Sequence, residues 1–269
     1  MTPPTWLIES GVYGSEVDPL AAEIRRQGMV CRFVSYREIV KGPPPLPPGS
    51  CAITYGTYPT VRHAMLKLGW TPGGWCSPEH LDCAAYYFHF ADFLLNQKHE
   101  ILPGVQALRE KERLFDAFGR GGRVFARPTS VHKLFVGRLV ARDDFDTALA
   151  PTGYDPDTQV VVAAPRELGL EWRVVVAGDE PVAASQYADR GARAVQPGCP
   201  GNVRAFAREV LAAVKWRPDD LFMLDICDDG GNLRLVELNS FSCSGLYACD
   251  PASVVEVASD RAARSHGGT

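Results

Sequence analysis

Leu221–Asp250 reads LFMLDICDDGGNLRLVELNSFSCSGLYACD. Leu221–Cys227 and Leu233–Asn239 are apolar or alternating, and Asp228–Asn232 between them is turn chemistry. The segment is therefore predicted as two antiparallel strands, a tight turn and a small-residue loop. Two carboxylates, Asp225 and Glu237, interrupt otherwise apolar strands. Asn239 follows Glu237 by two residues, so both side chains share one face.

The register of this hairpin has two readings. A three-residue loop, Gly230–Asn232, sets Asp225 directly opposite Glu237. A two-residue Gly230–Gly231 turn pairs Asp225 with Val236 and puts the acids on opposite faces. The first is favoured, because it gathers Phe222, Leu224, Ile226, Val236 and Leu238 on one apolar face. It also sets like charges opposite each other, at a cost of some tenths to about 1 kcal/mol. A divalent cation between them removes that cost. Two carboxylates and an amide oxygen are hard ligands suited to Mg²⁺, which usually takes phosphate oxygens as well. Either acid alone reads better as a water-facing residue of an amphipathic hairpin. Asp225, Glu237 and Asn239 together point to a metal site.

The chain has 269 residues, with 46% apolar and 22% charged side chains, which is ordinary for a soluble globular protein. A net charge of −4 implies no broad nucleic-acid footprint. No apolar run reaches the roughly 18–20 residues that span a bilayer, and the N-terminus lacks a signal-peptide pattern. Eight cysteines are scattered without a CxxC pair, which argues against zinc and against a disulfide framework. Reduced thiols in the cytoplasm are the expectation. No P-loop or GxGxxG signature occurs.

Outward from the hairpin, the N-terminal part alternates strands (Trp6–Ile8, Met29–Val34, Cys51–Tyr55) with helices (Glu16–Gln27, Thr60–Leu68). This predicts a small open α/β unit. GPPPLPPG, Gly42–Gly49, is a stiff connector. Gly69–Ser77 reads as a turn-rich loop, Glu79–Leu95 as one long helix, Asn96–Pro103 as a connector and Val105–Phe118 as a further helix. Arg123–Pro128 and Arg138–Val140 read as strands around the loop TSVHKLFVG. Gln159–Ala164 is a buried strand. EWRVVV, Glu171–Val176, and the run into Tyr187 form two strands around a Gly178–Glu180 turn. Arg190–Gly201 reads as a loop, and Asn202–Lys215 and Pro251–Arg264 as helices.

The pattern D-x(11)-E-x-N on paired strands, followed by a small-residue loop, resembles the metal-binding end of ATP-grasp enzymes. ELNSFSCSGLY and EWRVVV-G-PVAASQY are similar to segments of a divergent branch of that superfamily. The resemblance implies an α/β (α+β) ATP-grasp fold. It places a pre-grasp α/β unit at residues 1–95 and the ATP-grasp domain at 96–269, with lobes at 96–165 and 166–269.

The resemblance also implies residue roles. Asp225, Glu237 and Asn239 hold Mg²⁺. Arg127 stands where the family more usually has Lys, and with Lys133 in the following loop it contacts the nucleotide phosphates. Arg keeps the charge and adds a planar fork suited to phosphate. Glu167, beyond the hinge strand, holds the ribose. Arg173 reaches the transferred phosphoryl group; the residues alone equally allow a surface pair with Glu171. Gln186 and Tyr187 lie near the acceptor. Ser242, Ser244 and Gly245 donate to phosphate or substrate oxygens, or form a plain turn. Pro43–Pro48 and Gly69–Ser77 are further candidates for the acceptor pocket.

The implied activity is that of an ATP-dependent, ADP-forming ligase. Its partners are ATP, Mg²⁺, and a carboxylate and an amine from small molecules or peptides, with no nucleic acid or membrane. An ATP-dependent kinase and a catalytically decayed nucleotide-binding module are the alternatives.

Overall fold

The computed structural model describes residues 2–131, 134–155 and 158–268. It contains three sheets, which follow one another along the chain.

The first is parallel. β1 (Thr5–Glu9), β2 (Cys31–Val34), β3 (Cys51–Tyr55) and β4 (Thr71–Gly73) are ordered β2-β1-β3-β4. The helix Asp18–Arg26 buries Leu20, Ala21 and Ile24, and Gly28 beyond it adopts φ +81°, a left-handed conformation open to glycine. Two elements here differ from expectation. Gly69–Ser77 contributes β4, which pairs with β3. A short helix, Tyr36–Val40, starts at a capping box: the Ser35 hydroxyl accepts from the Glu38 N–H, and the Glu38 carboxylate accepts from the Ser35 N–H.

The second sheet is antiparallel. It holds β5 (His99–Pro103), β6 (Arg123–Pro128), β7 (Arg138–Ala141) and β8 (Gln159–Ala163), in the order β5-β8-β6-β7. The central position of β8 explains its β-branched run, since Val160, Val161 and Val162 are wholly buried. β5 lies in the stretch read as a connector. The expected helix over Val105–Phe118 is two, Gly104–Arg109 and Lys111–Phe118, separated at Glu110, whose backbone (φ −100°, ψ 18°) is not helical.

The third sheet, also antiparallel, holds β9 (Leu170–Ala177), β10 (Glu180–Asp189), β11 (Ala192–Pro197), β12 (Leu221–Asp229) and β13 (Asn232–Ser240), ordered β11-β10-β9-β12-β13. β11 lies in the stretch read as a loop. The helix Gly201–Ala213 packs Val203, Ala207 and Val210 against Val174, Val176 and Leu224 on one face. The C-terminal helix, Pro251–Gly267, takes the other face. Its Val254, Val255 and Ala258 share a core with Val175 and Met223 of this sheet and with Trp6, Ile8 and Ile53 of the first. The Trp6 indole N–H donates to Ser259 Oγ at 3.1 Å, so the polar edge of this buried ring is satisfied.

The single helix expected over Glu79–Leu95 is also absent. Pro78–Leu81 and Cys83–Tyr86 are separate short helices. Asp82 between them is extended; its carboxylate accepts from the Ala84 N–H at 2.8 Å and from the Thr129 hydroxyl at 3.1 Å. An aspartate that caps a new helix cannot also continue the old one. Tyr86, Tyr87 and Phe90 are buried as core, whereas Phe88 is exposed.

Candidate active site

The site is built on the central hairpin. Its turn is the two-residue one: Asp229 pairs with Asn232 around Gly230 and Gly231, whose φ values are +63° and +94°. Continued regularly, that register would separate the acids. A bulge prevents this. Ile226 pairs with Leu235, but Asp225 pairs with Glu237, so Val236 is the extra residue. The expected facing of the two acids is present, and the loop length used to reach it is not. The bulge also exchanges one apolar residue. Leu235, rather than Val236, joins Phe222, Leu224, Ile226 and Leu238 in the core.

Arg173 on β9 pairs with Asp225 on its other side, so Arg173, Asp225 and Glu237 form one row across three strands. Arg173 donates Nε to Asp225 Oδ1 at 2.9 Å and Nη2 to Oδ2 at 2.7 Å, a bidentate fork. Its Nη1 donates to the Gly245 carbonyl at 2.8 Å. Burial opposes the charge on Arg173, but Asp225 outweighs it and holds the guanidinium above its ordinary value. The alternative pairing with Glu171 does not occur. Glu171 instead accepts from the Tyr187 hydroxyl at 2.8 Å, and burial raises its carboxyl despite that bond.

Asn239 ties the acids together. Its amide nitrogen donates to Asp225 Oδ2 and to Glu237 Oε1, both at 2.9 Å. Glu237 Oε2 then meets Arg127 Nη1 at 2.8 Å. Arg127 belongs to β6 of the second sheet, so this ion pair crosses from one sheet to another. The result is a chain of contacts, Arg173–Asp225–Asn239–Glu237–Arg127, in which two positive charges balance two negative ones. The repulsion expected between the acids is thus offset by arginines as well as by an amide.

Among the described residues no group of three or more His, Cys, Asp and Glu side chains could hold a metal ion. Two carboxylates and an amide are donors of the kind Mg²⁺ takes, but here Asn239 turns its amide nitrogen to both acids, so its oxygen would face a cation only after the amide rotates. Lys133 lies outside the described residues.

A cleft lies between the second and third sheets. A cavity of about 720 Å³ is lined by Phe125, Leu139, Arg166, Glu167, Leu168 and Asp228, among others. A smaller one, of about 80 Å³, shares Phe125, Leu139, Arg166 and Leu168 and adds Leu95, Arg127 and Val236. Glu167 therefore lines the larger cavity, whose lining includes neither Asp225 nor Glu237. The bulged Val236 supplies an apolar wall on the other side. A third cavity, of about 180 Å³, holds Arg127, Glu237 and Asn239 together with Tyr58, Cys76, Cys243 and Ser244.

Several expected donors are otherwise engaged. The Ser242 hydroxyl is wholly buried and accepts from the Trp75 N–H at 3.0 Å, which fits the plain-turn reading of this loop. Gln186 donates to the Ala194 carbonyl at 3.0 Å and braces β11. Tyr247 was not expected at the site. Its ring stacks on Tyr187 with centroids 5.2 Å apart, and the Arg173 guanidinium lies 5.0 Å from its centroid. It adopts φ +52°, which is uncommon for an aromatic residue. The sequence carried only a weak signal for it, the small-residue loop ending in Gly245-Leu-Tyr.

The fold is that of an ATP-grasp protein. The chain belongs to the family described as ATP-grasp domain, R-2-K clade family 3, which matches residues 48–257. No curated protein sequence matches it. Among solved structures it is similar to the D-cycloserine synthetase DcsG, with a TM-score of 0.69 at 12% identity over 96% of this chain and 99% of that one. It is similar to D-alanine–D-alanine ligase from Bacillus anthracis, with a TM-score of 0.65 at 12% identity over 99% of each chain. It is also similar to the ATP-grasp ligase PsnB complexed with a minimal precursor, with a TM-score of 0.57 at 12% identity over 97% of this chain and 100% of that one. Among the described residues no helix is long and apolar enough to cross a membrane.

Proposed function

We propose that this protein is an ATP-dependent, ADP-forming ligase that joins a carboxylate to an amine or similar nucleophile. The observation that carries this reading is the balanced chain Arg173–Asp225–Asn239–Glu237–Arg127 beside a cleft, in a member of the ATP-grasp family. Such a chain is costly to bury and gains a purpose when phosphate arrives. The similar structures include a D-alanine–D-alanine ligase and a ligase complexed with a precursor peptide, so the nucleophile is sought among amino acids and peptides.

In this reading the adenine lies in the cleft against Phe125, Leu139, Leu168 and Val236, and Glu167 takes the ribose. Arg127 and Lys133 take the nucleotide phosphates. Arg127 then exchanges one anionic partner, Glu237, for another, and Glu237 is released to share a cation with Asp225 and Asn239. Mg²⁺, when bound there, supplies charge that offsets the phosphate oxygens. Arg173 is held by Asp225 and the Gly245 carbonyl, so it is oriented before substrate enters. A substrate carboxylate oxygen attacks the γ-phosphorus, and the bond to the ADP oxygen breaks. The nucleophile then adds to the acyl carbon, loses its proton to solvent and expels phosphate.

The segregation of the sheets supports a division into a pre-grasp unit over residues 1–95 and two lobes, 96–165 and 166–269. In the same reading the protein works in the cytoplasm.

The test is calorimetric titration with ATP, with and without Mg²⁺. It is followed by ADP release in the presence of carboxylate–amine pairs and by the mass of the product. Mg²⁺-dependent binding, ADP release that needs both substrates, and a product lighter than their sum by one water support the ligase. A product carrying phosphate instead indicates a kinase. Absence of ATP binding by folded protein overturns the reading.

A further inference from the structure

Cys76 and Cys243 stand apart from the other six cysteines, and the site described above gives them no role. They come from distant parts of the chain. Cys76 follows β4 of the first sheet, and Cys243 lies in the loop after β13 of the third. Three hydrogen bonds lace the two segments together, and a fourth shapes the loop that carries Cys243. The Trp75 N–H donates to Ser242 Oγ at 3.0 Å, and the Trp75 carbonyl accepts from the Ser242 N–H at 3.3 Å and from Ser240 Oγ at 2.8 Å. The Cys243 N–H donates to Ser240 Oγ at 3.1 Å. One backbone bond and two serine hydroxyl bonds thus hold the Trp75–Cys76 segment beside the Cys243 loop.

The two thiols are neighbours in the wall of one cavity, with the Ser240 side chain beside both. Both line the cavity of about 180 Å³, which is large enough for a molecule the size of hydrogen peroxide. Cys76 itself is buried and Cys243 half-buried, so the cavity is their route to solvent. The Cys83 thiol, by contrast, lies 3.5 Å from the Tyr86 hydroxyl.

We propose that Cys76 and Cys243 are a reversible redox pair that closes a disulfide between the first sheet and the loop after β13. The oxidant is a hydroperoxide. The Cys76 thiolate attacks one peroxide oxygen, the O–O bond breaks, and with a proton the second oxygen leaves as water. The Cys243 sulfur then attacks the Cys76 sulfenic sulfur, losing its proton, and the sulfenic oxygen leaves as a second water. Two thiols are oxidised, one peroxide is reduced, and two waters form. Cys76 suits the attacking role. Its thiol is lowered, chiefly by the neighbouring Cys243 thiol, whereas burial raises Cys51, Cys83, Cys227 and Cys249. Because Glu237 and Asn239 line the same cavity, the cross-link would alter one wall of the candidate site. The pairing itself is independent of any ligase activity.

The full chain is treated with a small excess of hydrogen peroxide, quenched, and denatured under an alkylating agent. Free thiols should fall from eight to six. Peptide mapping should find Cys76 joined to Cys243, and dithiothreitol should restore all eight. Cys76→Ser and Cys243→Ser should each abolish the two-thiol loss. The wild-type map decides the question even where a variant fails to fold. A cross-link between another pair, such as Cys199 and Cys249, or eight thiols surviving the oxidant, overturns the proposal.

Discussion

Asp225 lies opposite Glu237 because Val236 is bulged out of the strand between Leu235 and Glu237. The bulge performs two tasks at once. It turns Glu237 and Asn239 toward Asp225 while leaving Leu235 and Leu238 in the core, and it brings Val236 to the cleft. Removing the Glu237 charge tests the first task. Glu237→Gln keeps the shape but leaves Arg127 without its anionic partner. Mg²⁺–ATP binding should weaken at least tenfold and lose its dependence on Mg²⁺, as measured by calorimetry. Any ADP formation should fall by about 10²–10³, in line with the loss of one well-placed electrostatic group. Equal binding by both proteins would remove Glu237 from the site.

Arg173 and Asp225 are both buried, and each is the other's main counter-charge. Arg173→Met should therefore destabilise the protein by about 3–5 kcal/mol, because a buried carboxylate loses its partner. The double variant Arg173→Met/Asp225→Leu removes both charges and should recover much of that loss in a urea titration. It should recover none of the ATP-dependent activity. If the double variant were as active as wild type, Arg173 would be structural only.

Much of this was legible in the chain. Asp225, Glu237 and Asn239 are polar residues in strands that otherwise alternate or run apolar, and such interruptions survive any uncertainty about the turn. β8 and β9 were equally plain, being β-branched runs wide enough to be central strands. What could not be read depended on long-range partners. β5 and β11 are short and partly polar (HEILP and ARAVQP), and they are strands because β8 and β10 present edges to them. The periodicity of Glu79–Leu95 was real, yet Asp82 turns its carboxylate to Ala84 and Thr129 and breaks the helix. Ser35-x-x-Glu38 has the form of a capping box, yet neither it nor the helix it starts is among the elements expected from the sequence. The pairing of Arg127 with Glu237 joins two sheets, and no local pattern encodes it.

The Asp82 break carries its own prediction. Asp82→Ala removes both the cap on Cys83–Tyr86 and the bond to Thr129. Loss of such a cap typically costs about 1 kcal/mol, up to about 2. The thermal midpoint should fall accordingly. Asp82→Asn, whose side-chain oxygen still caps, should lose less. Equal losses would show that the charge rather than the cap matters.

Asp219 gives a pH dependence. It accepts from the Ser77 N–H at 2.9 Å and from the Ser77 hydroxyl at 3.1 Å, tying the end of the β4 loop to the segment before β12. Burial raises its carboxyl to about 6, with the two Ser77 bonds offsetting part of that rise. The folded protein therefore holds this proton more tightly than the unfolded chain, in which an aspartate titrates near 3.9. Its contribution to stability is fully present below that unfolded value. It is lost as pH rises through the folded value, by up to about 3 kcal/mol for a shift of this size. Asp219→Asn resembles the protonated form and is indifferent to pH. The difference in urea midpoint between variant and wild type should thus move in the variant's favour between pH 4 and pH 7, with other titrating groups cancelling in the comparison. A difference independent of pH would mean that Asp219 titrates normally, and that its two hydrogen bonds fully offset its burial.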